Sequence, residues 1–278
     1  MQIGLSLLAA LFYGAADFCG GYATKRAPVL VVTCVSQCAG LLLLLALLPF
    51  FPGKSVVSDY GWGALAGICG AAGIALLYHA LSIGKMGVVS PVTAVLAAAV
   101  PVAVSALGGD RMTLSQALGI GCALVAIVLI SASFENGVRE IATRGLKEAA
   151  ISGLLLGGFY VLLARAHPEA GLHNLLAARV SSVVIFALVM LLQRTPISTV
   201  RSSLTLVVLG GALDMAANVL YVLATFTGSL AIAAVLTSLY PASTVFLAGV
   251  VVRERLTRVQ WSGVAFAFAG VVLIALRR

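Results

Sequence analysis

The chain has 278 residues, of which 62% are hydrophobic and only 9% charged, and its formal net charge is +8. Soluble domains run near roughly 45–50% apolar and about 25% charged, so this composition cannot furnish a soluble exterior. The apolar residues come in runs long enough to cross hydrocarbon as helices, without the short alternating segments of a membrane barrel.

The first run, 3–24, is longer than a signal-peptide core, lacks a basic leader and contains Asp17, so it reads as the first spanning helix. Helices at 29–51, 61–83, 88–108 and 114–132 follow, divided by KRAP, PGKSVVSD, GKMG and GGDR. The polar segment 133–146 comes next. Beyond it lie helices at 147–166, 173–193, 203–224, 230–252 and 258–276, divided by HPEAG, QRTPIS, TFTGS and RERLT. The expectation is an all-α integral membrane protein of ten transmembrane helices. The cations sit between the runs, as membrane-flanking residues do, so the positive balance gives no reason to invoke nucleic acid. Cys19, Cys34, Cys38, Cys69 and Cys122 lie inside apolar runs without metal-ligand spacing, and read as small packing residues.

A second pattern runs through the chain. DRMTLSQALG at 110–119 and ERLTRVQWSG at 254–263 align at a shift of 144, with Arg111 on Arg255, Thr113 on Thr257 and Gly119 on Gly263. LYHALS (77–82) aligns with LYVLAT (220–225), and LLAALFY (7–13) with LLLGGFY (154–160). The expected organisation is two related five-helix halves, 1–132 and 147–278, joined by the connection 133–146. Five is odd, so the second half enters the membrane from the opposite side. Inverted repeats with a site between them are a recurring plan of secondary transporters. Thr113 and Thr257 suit the N-cap position of the helices they precede.

The doubled (D/E)-R-(M/L)-T-x-x-Q-x-x-G motif, the ten spans and FYGAADF in the first helix resemble the EamA-type branch of the drug/metabolite transporter superfamily. That resemblance covers essentially the whole chain. It implies an inner-membrane carrier, often an exporter of amino acids, other metabolites or drugs, with no cofactor and no covalent chemistry.

Polar residues in mid-membrane face the bundle interior and are functional candidates by default. Asp17 and Asp214 are the acidic residues well inside the predicted spans. Asp214, Asn218, Tyr221 and Thr225 form one helical stripe, and Tyr13, Asp17 and Thr24 share its spacing. The aspartates point to a cavity; for Asn218 and Thr24, interhelical hydrogen bonding is an equal alternative. Tyr78 and His79 fall near the middle of the third helix, and the repeat mate of His79 is Val222, so the fold itself does not demand a histidine there. Prolines at 91, 101 and 241 interrupt the fourth and ninth helices on this reading, bringing in Ser90, Thr93, Tyr240, Ser243 and Thr244 as site candidates; a plain kink is the alternative. Tyr13, Tyr160 and Phe12 offer aromatic walls.

The functional expectation is a secondary transporter of a small organic solute, an amino acid or an aromatic or apolar metabolite or drug, working as a monomer in the lipid bilayer. No lysine lies in a predicted span beyond Lys147 at the first position of the sixth, and Arg165 and Arg179 are placed near helix ends, which disfavours a phosphorylated substrate. The first helix lacks a glutamate of the kind expected from proton-coupled small multidrug relatives, so facilitated diffusion or exchange is expected. A membrane-embedded enzyme and a channel are the rival classes. Flanking Lys and Arg divide five against eleven, with Arg179 unassigned, which favours both termini outside. The family resemblance implies both termini in the cytoplasm, and that orientation is the one adopted here.

Overall fold

The structure, a computed structural model, describes residues 1–83, 86–109, 113–130, 145–251 and 258–275. Its regular elements are helices: α1 (Gln2–Ala23), α2 (Val29–Leu47), α3 (Val57–Ile83), α4 (Met86–Leu107), α5 (Leu114–Ile130), α6 (Leu146–Leu163), α7 (His173–Gln193), α8 (Leu204–Thr225), α9 (Leu230–Thr237), α10 (Pro241–Val251) and α11 (Arg258–Ala275). Six helical stretches among the described residues are long and apolar enough to cross a membrane: Gln2–Ala23, Val29–Phe50, Val57–Ile83, Leu146–Leu163, His173–Gln193 and Thr199–Thr225. The chain is a multi-pass membrane protein. Large side chains such as Leu42, Leu192 and Phe246 are exposed, as a lipid-facing surface requires. Cys38 is exposed with them, while Cys19 and Cys34 are buried.

The predicted ninth helix is two helices. Between them, Leu239 N–H donates to Leu236 O (3.3 Å) and Tyr240 N–H to Thr237 O (3.3 Å), a tightened turn. Pro241 has no N–H to give Thr237 O, the carbonyl one turn back; Tyr240 takes that carbonyl instead. Residues 231–241 are all buried, which is where a membrane protein can tolerate irregular backbone. The expected matching break in the fourth helix does not occur, since α4 runs unbroken through positions 91 and 101. The third helix begins at Val57, earlier than its composition suggested, because Asp59 Oδ2 accepts the Val56 N–H at 2.9 Å. The Asp and Glu residues of the two repeated motifs, Asp110 and Glu254, lie outside the described residues, as does Thr257. The Thr113 hydroxyl lies 3.0 Å from that of Ser115.

Packing partners are distant in sequence. α1 lies chiefly against α8, α9 and α10, and α6 against α3 and α4; α2 meets α7 and α8, and α3 also meets α7. α5 and α11 pair with each other. Hydroxyls tie these contacts: Ser152 Oγ donates to Gly73 O (2.7 Å), and Ser243 Oγ to Ala10 O (3.0 Å). On one edge, buried Asp59 accepts from the His167 N–H (3.1 Å) and lies 2.9 Å from His167 Nδ1, while Lys54 N–H donates to Glu169 O (2.7 Å). The α2–α3 and α6–α7 connections are thereby stitched together.

Two glycines set close approaches between neighbouring helices. A Cβ on Gly211 of α8 would sit 2.2 Å from Ser36 O of α2, and one on Gly67 of α3 would sit 2.2 Å from Ala178 O of α7. No flexible side-chain end is there to yield, so a methyl must push helices apart. Gly211→Ala should lower the thermal unfolding midpoint in detergent, at a cost of about 1–3 kcal/mol. Gly61→Ala, with nothing within 4 Å of its added methyl, should not lower that midpoint, since alanine favours a helix over glycine.

Candidate functional site

A cavity lies within the bundle, walled by α1, α2, α3, α4, α6, α7 and α8 and by Tyr240 from the turn between α9 and α10. About 60 Å³ of it is open to the centre of a water-sized sphere. One water needs roughly 10–15 Å³ on that measure, so the space as it stands is about that of a few waters.

Its polar side is built around Arg179. This residue lies six positions beyond His173, the first residue of α7, and is 5% exposed. At roughly 1.5 Å per residue that places its backbone far from the helix end, too deep for the guanidinium to snorkel as the sequence reading had it. The guanidinium turns inward. Its Nη2 donates to Asp214 Oδ2 at 2.8 Å and its Nη1 to Gln37 Oε1, which also accepts from Ser182 Oγ at 2.8 Å. Gly40 of α2 lies against α8, where a Cβ would be 3.1 Å from Gly211 O. The close α2–α8 approach at Gly211 and Ser36 brings Gln37 alongside. Asn218, one turn beyond Asp214, donates Nδ2 to Asp214 O (2.7 Å) and to Oδ2 (3.2 Å). Both partners are acceptors, which fixes the amide orientation and leaves buried Asn218 Oδ1 without a donor.

The other walls are aromatic and aliphatic. Tyr13 meets Tyr160 and Tyr240 edge-on, with centroids 6.2 and 6.5 Å apart. Ile74, Leu77, Leu156 and Phe159 complete the lining. Asp17, one turn along α1 from Tyr13, faces the same space as Asp214.

Of the residues expected at the site, Tyr13, Asp17, Asp214, Asn218 and Tyr240 come together here. The others have different surroundings. Tyr221 is wholly buried behind Tyr160, with ring centroids 4.6 Å apart and its hydroxyl donating to Tyr160 O at 3.2 Å. Tyr78 packs on α1, filling the space above Gly20, where a Cβ would lie 2.1 Å from its hydroxyl. Adjacent helical residues point about 100° apart, so with Tyr78 inward, His79 is exposed on the outer side of α3. Thr93 donates to Ala149 O (3.1 Å), joining α4 to α6. Ser90 is buried and does not line the cavity. Ser243 and Thr244 bond to Ala10 O and Gly14 O of α1, at 3.0 and 3.1 Å. Phe12 packs against the core, outside the cavity wall. Arg179, Gln37 and Ser182 escaped the sequence reading. The available signal was the depth of Arg179 in an apolar run, six residues past its start.

Removing one member of a buried ion pair strands the other. Arg179→Met should therefore destabilise the protein by about 3–5 kcal/mol, read as a lowered unfolding midpoint. The double variant Arg179→Met/Asp214→Asn should recover part of that loss.

Comparison with known proteins is consistent with this architecture. The sequence profile of the EamA-like transporter family matches residues 1–132 and again residues 144–276. An uncharacterized protein of Methanocaldococcus jannaschii is 29% identical over 133 residues, covering 95% of that protein and 46% of this chain. A crystal structure of another protein superposes with a TM-score of 0.73 at 16% identity, covering 98% of this chain and 95% of that one; at that identity the likeness is one of fold alone. With its family profile matched along both halves, the chain belongs to the EamA-like transporter family.

Proposed function

We propose that this membrane transporter carries a small organic solute, an amino acid or a comparable aromatic or apolar metabolite or drug, out of the cell across the inner membrane by alternating access. The observation that carries the proposal is the central cavity, with a charged network on one side and tyrosines on the other. It is built from helices of both profile-matched segments, where rocking of one against the other would expose it to either face. No covalent step is involved, and one chain suffices.

The proposal includes ten spans in two inverted five-helix repeats. Three observations support it. The profile matches twice, and a relative of about half this length aligns over nearly all of itself. The packing is reciprocal: α1 on α8 answers α6 on α3, and α2 on α8 answers α7 on α3. The proposed orientation has both termini in the cytoplasm. A C-terminal reporter active only in the cytoplasm should be active; activity of a periplasm-only reporter would overturn the orientation.

Proteoliposomes test the transport reading. Phenylalanine or tyrosine uptake should saturate, show counterflow and return the solute unchanged. Chemical conversion would indicate an enzyme, and unsaturable flux without counterflow a pore. An imposed pH gradient, with the membrane potential clamped, should not drive accumulation. His79→Leu alters only the outer face of α3 and should keep flux within about two-fold, the range of ordinary surface substitutions.

A further inference from the structure

The cavity lining carries one guanidinium and two carboxylates. Arg179 is committed to Asp214 at 2.8 Å, with Gln37 on its other nitrogen. Asp17 is different. No group among the described residues donates a hydrogen bond to it or pairs with it, yet it faces the cavity. Asp214 is met by Arg179, so Asp17 is the carboxyl of the lining that no side chain among the described residues answers. A carboxyl group is met best by a cation or a group rich in N–H donors, so a solute that brings positive charge gains there.

The unsatisfied polar atoms nearby agree with the charge. Asn218 is 3% exposed, and its Oδ1, fixed as an acceptor by the bonds of Nδ2, has no donor. Tyr240 is 4% exposed, and its hydroxyl is unpartnered in the same lining. A carboxylate, a bare amide oxygen and a free phenol match a group with several N–H donors. Tyr13, Tyr160 and Tyr240 add π faces that attract a cation, and Leu156 and Phe159 offer apolar contact for the rest of the solute. An anion would meet the opposite situation: it would have to displace Asp214 from Arg179 while lying near Asp17.

We propose that the cavity selects an organic ammonium, a solute whose protonated amine is held by the Asp17 carboxylate and Asn218 Oδ1, with its apolar body against the aromatic wall. This rests on the transport reading above and narrows its substrate class; a positive amine is required and a carboxylate is not.

Three solutes of one shape and different charge test it: phenethylamine, phenethyl alcohol and phenylacetate, at pH 7.5, where the amine is protonated. Stabilisation of the purified protein against heat, titrated with each, reports binding whether or not flux occurs. Phenethylamine should bind at least about ten-fold tighter than the alcohol, as expected for a charge-assisted bond, and phenylacetate should give no shift. Asp17→Asn should bring amine and alcohol within about two-fold of each other, and Asp17→Glu should restore the preference. Equal binding of alcohol and amine by the wild-type protein, a preference for phenylacetate, no stabilisation by the amine, or an amine preference surviving in Asp17→Asn would each overturn the inference. So would stabilisation by sodium chloride over choline chloride that vanishes in Asp17→Asn, which would assign the carboxylate to an inorganic cation. The wild-type series decides the matter even if the variants fold poorly. Amine-selective binding without flux in proteoliposomes would reject the transport reading alone. Flux indifferent to solute charge would reject the ammonium inference alone.

Discussion

A guanidinium buried among apolar helices must have its charge met where it stands, because neither lipid nor a distant interface can do so. Much of the centre of this molecule answers that constraint on Arg179. Asp214 supplies the counter-charge from α8 and Gln37 an acceptor from α2. Small residues let the helices around them meet: Gly40 and Gly211 lie where α2 and α8 approach, close enough for Gln37 to reach. Gly67 draws α3 onto α7 one residue before the arginine. The cavity is the space left where these helices cannot also fill the middle.

The tyrosines show how the remaining space keeps its shape. Tyr160 is held from behind by the Tyr221 ring and by the bond from its hydroxyl, while Tyr13 and Tyr240 meet each other edge-on in front. Tyr240 belongs to the turn between α9 and α10, whose backbone is satisfied internally, and Ser243 and Thr244 anchor the following turn to α1. The break in the chain is thus braced on both sides. It presents one ring to the cavity without exposing a bare carbonyl to hydrocarbon.

Most helix positions and the membrane setting were legible in the sequence, because a run of apolar residues can do little else in a bilayer. Aspartates 17 and 214 were legible as residues that line a cavity for the same reason, since a carboxylate in such a run has to face something polar. Rotation about each helix axis was not. Every helix here is apolar on most of its circumference, so no polar face marks the outside, and Tyr78 and His79 could not be ordered as inward and outward. Nor could a proline's effect be read from its presence. Pro101 sits in an unbroken helix, whereas Pro241 begins a new one, because only at the latter does the preceding residue turn back to take the orphaned carbonyl. Arg179 was misplaced because a basic residue near the start of a run resembles an interface anchor until its partners on other helices are known.

The interleaved packing has a consequence for how such a chain is made. α1 leaves the ribosome first, yet its main neighbours, α8, α9 and α10, begin about two hundred residues later. The neighbours of α6, by contrast, are α3 and α4, which precede it in the chain. The first five helices therefore form no closed unit when their synthesis ends. Their first member waits in lipid, its small-residue face uncovered, until the third helix of the following set arrives. A polypeptide containing only one of these sets could cover that face only with a second copy of itself, so joining the two in one chain turns a meeting of molecules into a closure of loops, with its entropic cost fixed by chain length and not by concentration.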